Sequence, residues 1–368
     1  MEPKAIVSVS VLISALVCSP APAQDACAWT FRSDAGPSPR FGHAMAYDDA
    51  RGQIILFGGR SGNQCFGDTW AWDGGEWCQV ATTGPSPRQG TAMVYDSARE
   101  YMVLVGGADS GGNALGDTWT WDGAAWTLET DHGYGYAVNA GMTYDESLGA
   151  VLSVGGSPTR ADCFTWTGSG WHDAGYFIDR RANHGLAYYA DAGETILFGG
   201  NGDIAFDTQT WAFRNGQWQL RANIGPIWHD EPALVSYDAI DKLVLFGGRD
   251  RPGNYLDQTW LWDGAWSELS PSPSPSGRTS HAMAYDGGRK EIVLFGGVNP
   301  DGRLGDTWVF SCDLCEVDLT GDGEVNSLDV LLYLGAWSQG YPLADWNDDG
   351  IVNTLDFLAF LNEWVVGC

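Results

Sequence analysis

The sequence predicts an all-β fold of six repeated four-stranded units, followed by a small α-helical domain of different chemistry. Three observations predict it. An apolar run ending in Gly-Gly occurs six times in 368 residues. Each occurrence sits inside the same order of short, aromatic-rich segments. Behind Cys315 that pattern stops, and two acidic twelve-residue loops follow in tandem. The composition agrees: 50 glycines beside 19 tryptophans suit many tight turns and large flat side chains on short strands.

Taken in chain order, residues 1–23 read as a secretory signal. Lys4 supplies the positive start, and residues 5–17 are apolar but too short for a bilayer span. Ala21-Pro22-Ala23 is an A-x-A cleavage pattern, so a mature chain beginning near Gln24 is expected. Leu16-Val17 before Cys18 does not suit lipid attachment, which favours plain secretion, to the extracellular space or cell surface. Export permits disulfides. The cysteines left are Cys27, Cys65, Cys78, Cys163, Cys312, Cys315 and Cys368, an odd number that leaves at least one unpaired.

The repeats come next. The pairs are Gly58-Gly59, Gly106-Gly107, Gly155-Gly156, Gly199-Gly200, Gly247-Gly248 and Gly296-Gly297, spaced 44 to 49 residues apart. In the first unit, His43-Ala44-Met45-Ala46-Tyr47-Asp48 precedes Gln53-Ile54-Ile55-Leu56-Phe57 and the Gly-Gly. Asp68-Thr69-Trp70-Ala71-Trp72, an Asp73-Gly74 turn and Glu76-Trp77 complete it. These are four strands by composition, and Asp-Gly marks a hairpin. The fifth unit aligns as Ser236-Tyr237-Asp238, and the third has Cys163-Phe164 where the first has Thr69-Trp70.

Residues 28–312 therefore resemble the kelch family, which implies an all-β six-bladed kelch β-propeller with blades arranged radially. The sixth unit stops at Asp306-Thr307-Trp308-Val309-Phe310 without a fourth strand. Ala28-Trp29-Thr30-Phe31 repeats the end of the first unit, so residues 28–33 are expected to supply that strand and close the ring. Register then places Cys27 and Cys312 where other blades have their hairpin turn, which predicts a Cys27–Cys312 disulfide. Cys65–Cys78 is a second candidate pair, and Cys163 reads as a buried free thiol.

The loops Asp318 to Asp329 and Asp345 to Asp356 are offset by 27 residues. Each has oxygen side chains at positions 1, 3 and 5, glycine at 6 and an acid at 12, the scheme of an EF-hand-like calcium loop. The expected ligands are Asp318, Thr320, Asp322, the Glu324 carbonyl, Asn326 and Asp329 in one. In the other they are Asp345, Asn347, Asp349, the Ile351 carbonyl, Asn353 and Asp356, for two calcium ions in all. Each loop leads into a helix whose apolar face reads as Leu328, Leu331, Leu332 and Trp337, or Leu355, Leu358, Phe360 and Trp364. Loop–helix units closed by Asp resemble dockerin domains, here over residues 313–368. The resemblance implies a cohesin-like or surface-anchoring partner, met by Ser327, Leu328, Thr354 and Leu355 at positions 10 and 11. Leu334-Gly335 and Leu361-Asn362 stand where clostridial dockerins carry basic residues. The terminal Gly367-Cys368 resembles a cysteine-terminated variant, with a Cys315–Cys368 bond joining the domain's ends.

The formal net charge of −28 disfavours nucleic acid and anionic membranes as partners, and suits cations, carbohydrate or basic proteins. His43, His184 and His281 share one repeat position and read as strand residues. Some kelch-like propellers house a copper–radical oxidase, but its ligand set is not assembled in this sequence. Arg40, Arg88, Arg181 and Arg278 share a position before the first strand, with Ala137 and Asp230 in the other two units. They either face an anionic or acidic ligand at a channel mouth or pair with nearby acids and carbonyls. The loops over 60–67 and 249–256 are expected on that same face. The expected function is a non-catalytic binding or scaffold protein, anchored to an extracellular assembly through its calcium domain. The alternatives are an accessory or catalytic part of a polysaccharide-degrading system, and a structural adhesin with a calcium-stabilised cap.

Overall fold

The computed structural model describes residues 27–131, 137–157, 161–177, 180–202, 208–227, 229–312, 317, 319–320, 325–347 and 350–366. It divides into two compact units after Cys312. The expected leader over 1–23 lies outside the described residues. Among the described residues no helix is long and apolar enough to cross a membrane.

The first unit, Cys27–Cys312, holds six four-stranded antiparallel sheets. Their first strands are Ala44–Asp48, Ala92–Asp96, Gly141–Asp145, Gly185–Tyr189, Ala233–Tyr237 and Ala282–Asp286. Each packs beside the next, and the sixth packs beside the first, so the blades close a ring around an axis. The strand that completes blade 6 is Cys27–Ser33, which pairs with Gly302–Cys312 in the expected register. Cys27 lies opposite Cys312, and the two form a disulfide.

The core lies between blades. Ile55, Phe57 and Ala71 of blade 1 pack on Met93, Met102 and Leu104 of blade 2. Met45, Ile54 and Leu56 pack on Ala284, Val293 and Phe295 of blade 6. One contact recurs around the whole ring. The outer-strand tryptophans Trp77, Trp126, Trp171, Trp266 and Trp29 donate from Nε1 to Thr307, Thr69, Thr118, Thr210 and Thr259 of the preceding blade, at 2.7–3.0 Å. In the remaining blade Trp218 donates to the Sγ of Cys163 at 3.4 Å. Cys163 is buried and free, as expected, and it accepts the bond that threonine accepts elsewhere.

Two sequence alignments shift by one residue in blade 5. Tyr237, not Asp238, takes the place of Asp48, because Tyr237 pairs with Lys242 as Asp48 pairs with Gln53. His229, not Asp230, takes the place of Arg40: its carbonyl accepts from Gly200 N as the Arg40 carbonyl accepts from Gly297 N. The Cys65–Cys78 bond does not form. Cys65 is buried in a loop hairpin against the Ala108 carbonyl, Cys78 is exposed on the outer strand, and both are free.

The second unit contains helices α1 (Ser327–Gln339) and α2 (Thr354–Val366). Asn326 caps α1, accepting from Leu328 N while Asp329 accepts from Asn326 N. Tyr333 stacks on Phe360 with centroids 4.1 Å apart, and Trp346 meets Phe360 edge-on. The indole of Trp337 donates to the Asn353 carbonyl, and that of Trp364 to the Asn326 carbonyl. Each helix thus holds the other's loop. Of the apolar face read for each helix, Leu328, Leu331, Leu332, Leu355 and Leu358 are exposed, because Tyr333, Ala336 and Phe360 fill the core.

Candidate functional site

Of the two expectations for the four arginines, pairing with nearby acids and carbonyls holds and a ligand face does not, because all four are buried. Arg88 places both terminal nitrogens on the Asp117 carboxylate at 2.6 and 2.8 Å. It also donates to the carbonyls of Gly106 and Ser86. Arg40 repeats this with Asp68, Gly58 and Ser38, and Arg278 with Asp306, Gly296 and Ser276. The same aspartates accept from the indoles of Trp70, Trp119 and Trp308. One network therefore explains the recurring arginine, the Gly-Gly pair and the Asp-Thr-Trp segment together in these three blades. Burial raises the carboxyl pKa of Asp68, Asp117 and Asp306, but the arginine fork outweighs it and leaves each below the usual range. Arg181 donates to the Gly199 carbonyl at 2.7 Å and is likewise buried.

The Gly-Gly pairs are required by close approach. A Cβ on Gly58 would stand 2.8 Å from the Arg88 carbonyl oxygen, and one on Gly106 2.2 Å from that of Ala137. Two residues on from each such carbonyl, Gly42, Gly90, Asn139, Asn183, Glu231 and Ser280 all adopt the left-handed conformation, with φ of 52–63°. They form a belt around the axis. Gly42 N donates to Ser280 O, Gly90 N to Gly42 O, Asn139 N to Gly90 O, Asn183 N to Asn139 O and Glu231 N to Asn183 O, at 2.7–3.1 Å. At the remaining junction Thr279 and Ser280 donate hydroxyls to the Glu231 carboxylate. This belt borders a cavity of about 180 Å³ at one mouth of the channel.

His43, His184 and His281 follow the belt and wedge between blades. His43 meets Phe295 edge-on and His281 meets Phe246 edge-on, without closing a hydrogen bond of normal geometry. Burial, then the neighbouring arginine charge, depresses their pKa, to about 3 for His43 and His184. They are neutral, and each stands one residue before the first strand of its blade rather than in it. Among the described residues no group of three or more His, Cys, Asp or Glu is placed to hold a metal.

The opposite mouth has different chemistry. A cavity of about 300 Å³ is lined by Met45, Met93, Met142 and Met283, then by Tyr47, Tyr95, Tyr144, Tyr188 and Tyr285, with Glu146 and Asp238 at the rim. Ser236 stands in the sixth aromatic position, a consequence of the blade 5 shift. Outside it, Asp48, Asp96 and Asp286 are buried and paired with Arg51, Arg99 and Arg289. Those arginines reach over the turns at Gly123, Gly168 and Gly74 of the next blade. Nothing in the sequence reading singled them out; the signal was the recurring Asp-x-x-Arg after the first strand.

In the second unit the two loops repeat one pattern. Thr320 N and Asn326 N donate to the Asp329 carboxylate, and Asn347 N and Asn353 N to that of Asp356. Gly350 N donates to Asp345 at 2.8 Å, which draws positions 1 and 6 of the second loop together. Asp318, Asp322, Glu324 and Asp349 lie outside the described residues, as do Cys315 and Cys368. Ser327, Leu328, Thr354 and Leu355 are exposed.

No family model matches the chain. Segments of it are similar to known proteins. A 148-residue stretch, 36% of the chain, is 28% identical to 14% of tRNA wybutosine-synthesizing protein 4 of Emericella nidulans. A 108-residue stretch, 26% of the chain, is 37% identical to 16% of Adagio-like protein 1 of Oryza sativa. A 78-residue stretch, 19% of the chain, is 41% identical to 16% of an F-box/kelch-repeat protein of Arabidopsis thaliana. The chain thus spans under a fifth of the length of these relatives. With six closed blades and this likeness, residues 27–312 form a kelch-type β-propeller.

Proposed function

We propose that this chain is an exported, non-catalytic binding protein, whose propeller is presented by a calcium-dependent C-terminal unit docked on an anchoring partner. The observation that carries this reading is the C-terminal unit's exposed leucine face. Leu328, Leu331, Leu332, Leu355 and Leu358 are 46–62% exposed, although the unit has a packed aromatic core to bury apolar groups in. Leu328 and Leu331 recur at the matched positions Leu355 and Leu358 of the second repeat, and clustered exposed apolar groups mark interaction sites. Calcium would be held by Asp318, Thr320, Asp322, Asn326 and Asp329, and by Asp345, Asn347, Asp349, Asn353 and Asp356, with carbonyls from Glu324 and Ile351. The ion would supply the charge that gathers each acidic loop, so the docking face exists only in the loaded form.

The full chain should bind two calcium ions by titration calorimetry, and chelation should lower the melting of the α-helical signal while sparing the propeller's β signal. A cohesin-type module should be retained with calcium and released by chelator, and Leu328→Asp with Leu355→Asp should abolish retention. Absence of calcium uptake by the intact chain would end this reading.

A further inference from the structure

The tyrosine-walled mouth of the channel has no part in the arginine network, the histidine belt or the calcium unit. Its geometry is set by the blades. Tyr47 belongs to blade 1, but its hydroxyl accepts from Gly288 N of blade 6 at 3.1 Å. The hydroxyls of Tyr95, Tyr188 and Tyr285 meet backbone at Ala50, Ser147 and Ala239, each on the preceding blade's turn. Each of these four side chains therefore runs toward the preceding blade. Its polar tip is engaged by a neighbour, and the channel meets the ring. All five are half-buried, whereas Tyr237, one residue further along blade 5, is wholly buried. Below the rings lie four thioethers with Leu186 and Leu234.

The charge around this mouth has one sign. Glu146 and Asp238 border the cavity, and Asp49 is exposed on the equivalent turn of blade 1. The nearby cations are committed elsewhere: Arg51, Arg99 and Arg289 lie on Asp48, Asp96 and Asp286. Burial foremost, with these acids adding, raises the phenol pKa of Tyr95, Tyr188 and Tyr285, the last to about 12. Aromatic walls, an apolar floor and an anionic rim select a cation with an apolar surface. A hard cation such as calcium or magnesium takes six or more oxygens, and a wall of phenols, four of them bonded to backbone, does not provide them.

We propose that this mouth is a binding site for an alkylated ammonium group, held among Tyr47, Tyr95, Tyr144, Tyr188 and Tyr285, with Asp238 filling the gap left by Ser236. About 300 Å³ lies at the lower end of small-ligand sites, which suits a trimethylammonium head rather than a larger solute. The group can come from a free small molecule or from a methylated lysine side chain.

The floor provides the readout. In the full chain labelled at methionine methyls, choline should shift Met45, Met93, Met142 and Met283 saturably, while Met102, on the second strand of blade 2, stays still as an internal reference. The uncharged isostere 3,3-dimethylbutanol should bind about 10-fold more weakly. Tyr144→Leu should weaken choline by about 10-fold and Asp238→Asn by about threefold, while Tyr144→Phe retains it. An acetylated trimethyl-lysine peptide tests the second source: tighter binding than choline assigns the site to a protein tail, and weaker binding assigns it to a free solute. Equal binding of choline and its isostere would overturn the proposal, as would methyls that do not move with choline. So would equal loss in Tyr144→Leu and Tyr144→Phe when both melt like the parent chain.

Discussion

A buried guanidinium is tolerated only when its donors are met, and Arg88 meets that condition through Asp117, Gly106 and Ser86. The carboxylate does double duty by accepting from Trp119. Asp117→Asn keeps the shape but leaves a buried charge without its partner. It should lower stability by about 3–5 kcal/mol, read as a shift in the urea midpoint at unchanged slope. A surface ion pair such as Lys242–Asp263, at 3.6 Å, should shift by under about 1 kcal/mol under the same treatment. The arginines were legible in the sequence as a recurring position. Pairing with an acid was one of two roles open to them, and which acid was not legible, because the partner aspartate stands 28 or 29 residues away and only the fold brings it close. Cys163 is a similar case: its departure from threonine was visible, and its acceptance of the Trp218 bond needed the neighbouring blade.

Strands in a propeller have little reason to stay paired at the last blade, where one edge comes from the far end of the chain. Here Cys27–Ser33 closes blade 6, Trp29 donates to Thr259 of blade 5, and the Cys27–Cys312 bond links residues 285 apart. Cross-linking so long a loop restricts the unfolded chain most. Replacing both cysteines by serine should lower stability by about 2–5 kcal/mol and expose the Cys27–Ser33 strand to protease first, detected by the sites of early cleavage. Cys65 and Cys78 carry no such bond, and the double Cys65→Ala, Cys78→Ala chain should melt as the parent does. The closing strand and its disulfide were readable because repeats transmit register: every blade reports the alignment of the incomplete one. The Cys65–Cys78 pairing failed because Cys65 lies on a loop hairpin, where the repeat carries no register.

At the scale of the ring, four histidines are kept neutral between blades. His43, His184 and His281 are depressed by burial first and by arginine second, and His229 by burial, to about 4. The folded values lie below the unfolded value of 6.5, so the unfolded chain takes up protons that the folded ring refuses. Stability should not depend on these groups above about pH 6.5, and should fall as pH drops from there toward about 3. Each contributes a loss of about 1.4 kcal/mol per pH unit in that window. The melting midpoint measured at pH 8, 6 and 5 should decline with a slope of about three to four protons, and His184→Gln should remove about one of them.

By itself the sequence determined the number of blades, the closing strand, the Cys27–Cys312 register and the position of two acidic loops. All of these follow from periodicity, since a unit that cannot cover its own faces must repeat the residues that cover its neighbour's. Only the tertiary structure decided where side chains end. It decided between the two readings of the four arginines by placing them inside the blades, and it left the helix leucines at the surface because Tyr333 and Phe360 fill the small core. It also gathered five tyrosines, spread over more than two hundred residues, around one mouth of the channel. Ring closure is the physical reason: positions a full repeat apart become neighbours around an axis, and no local pattern states which end of that axis they face.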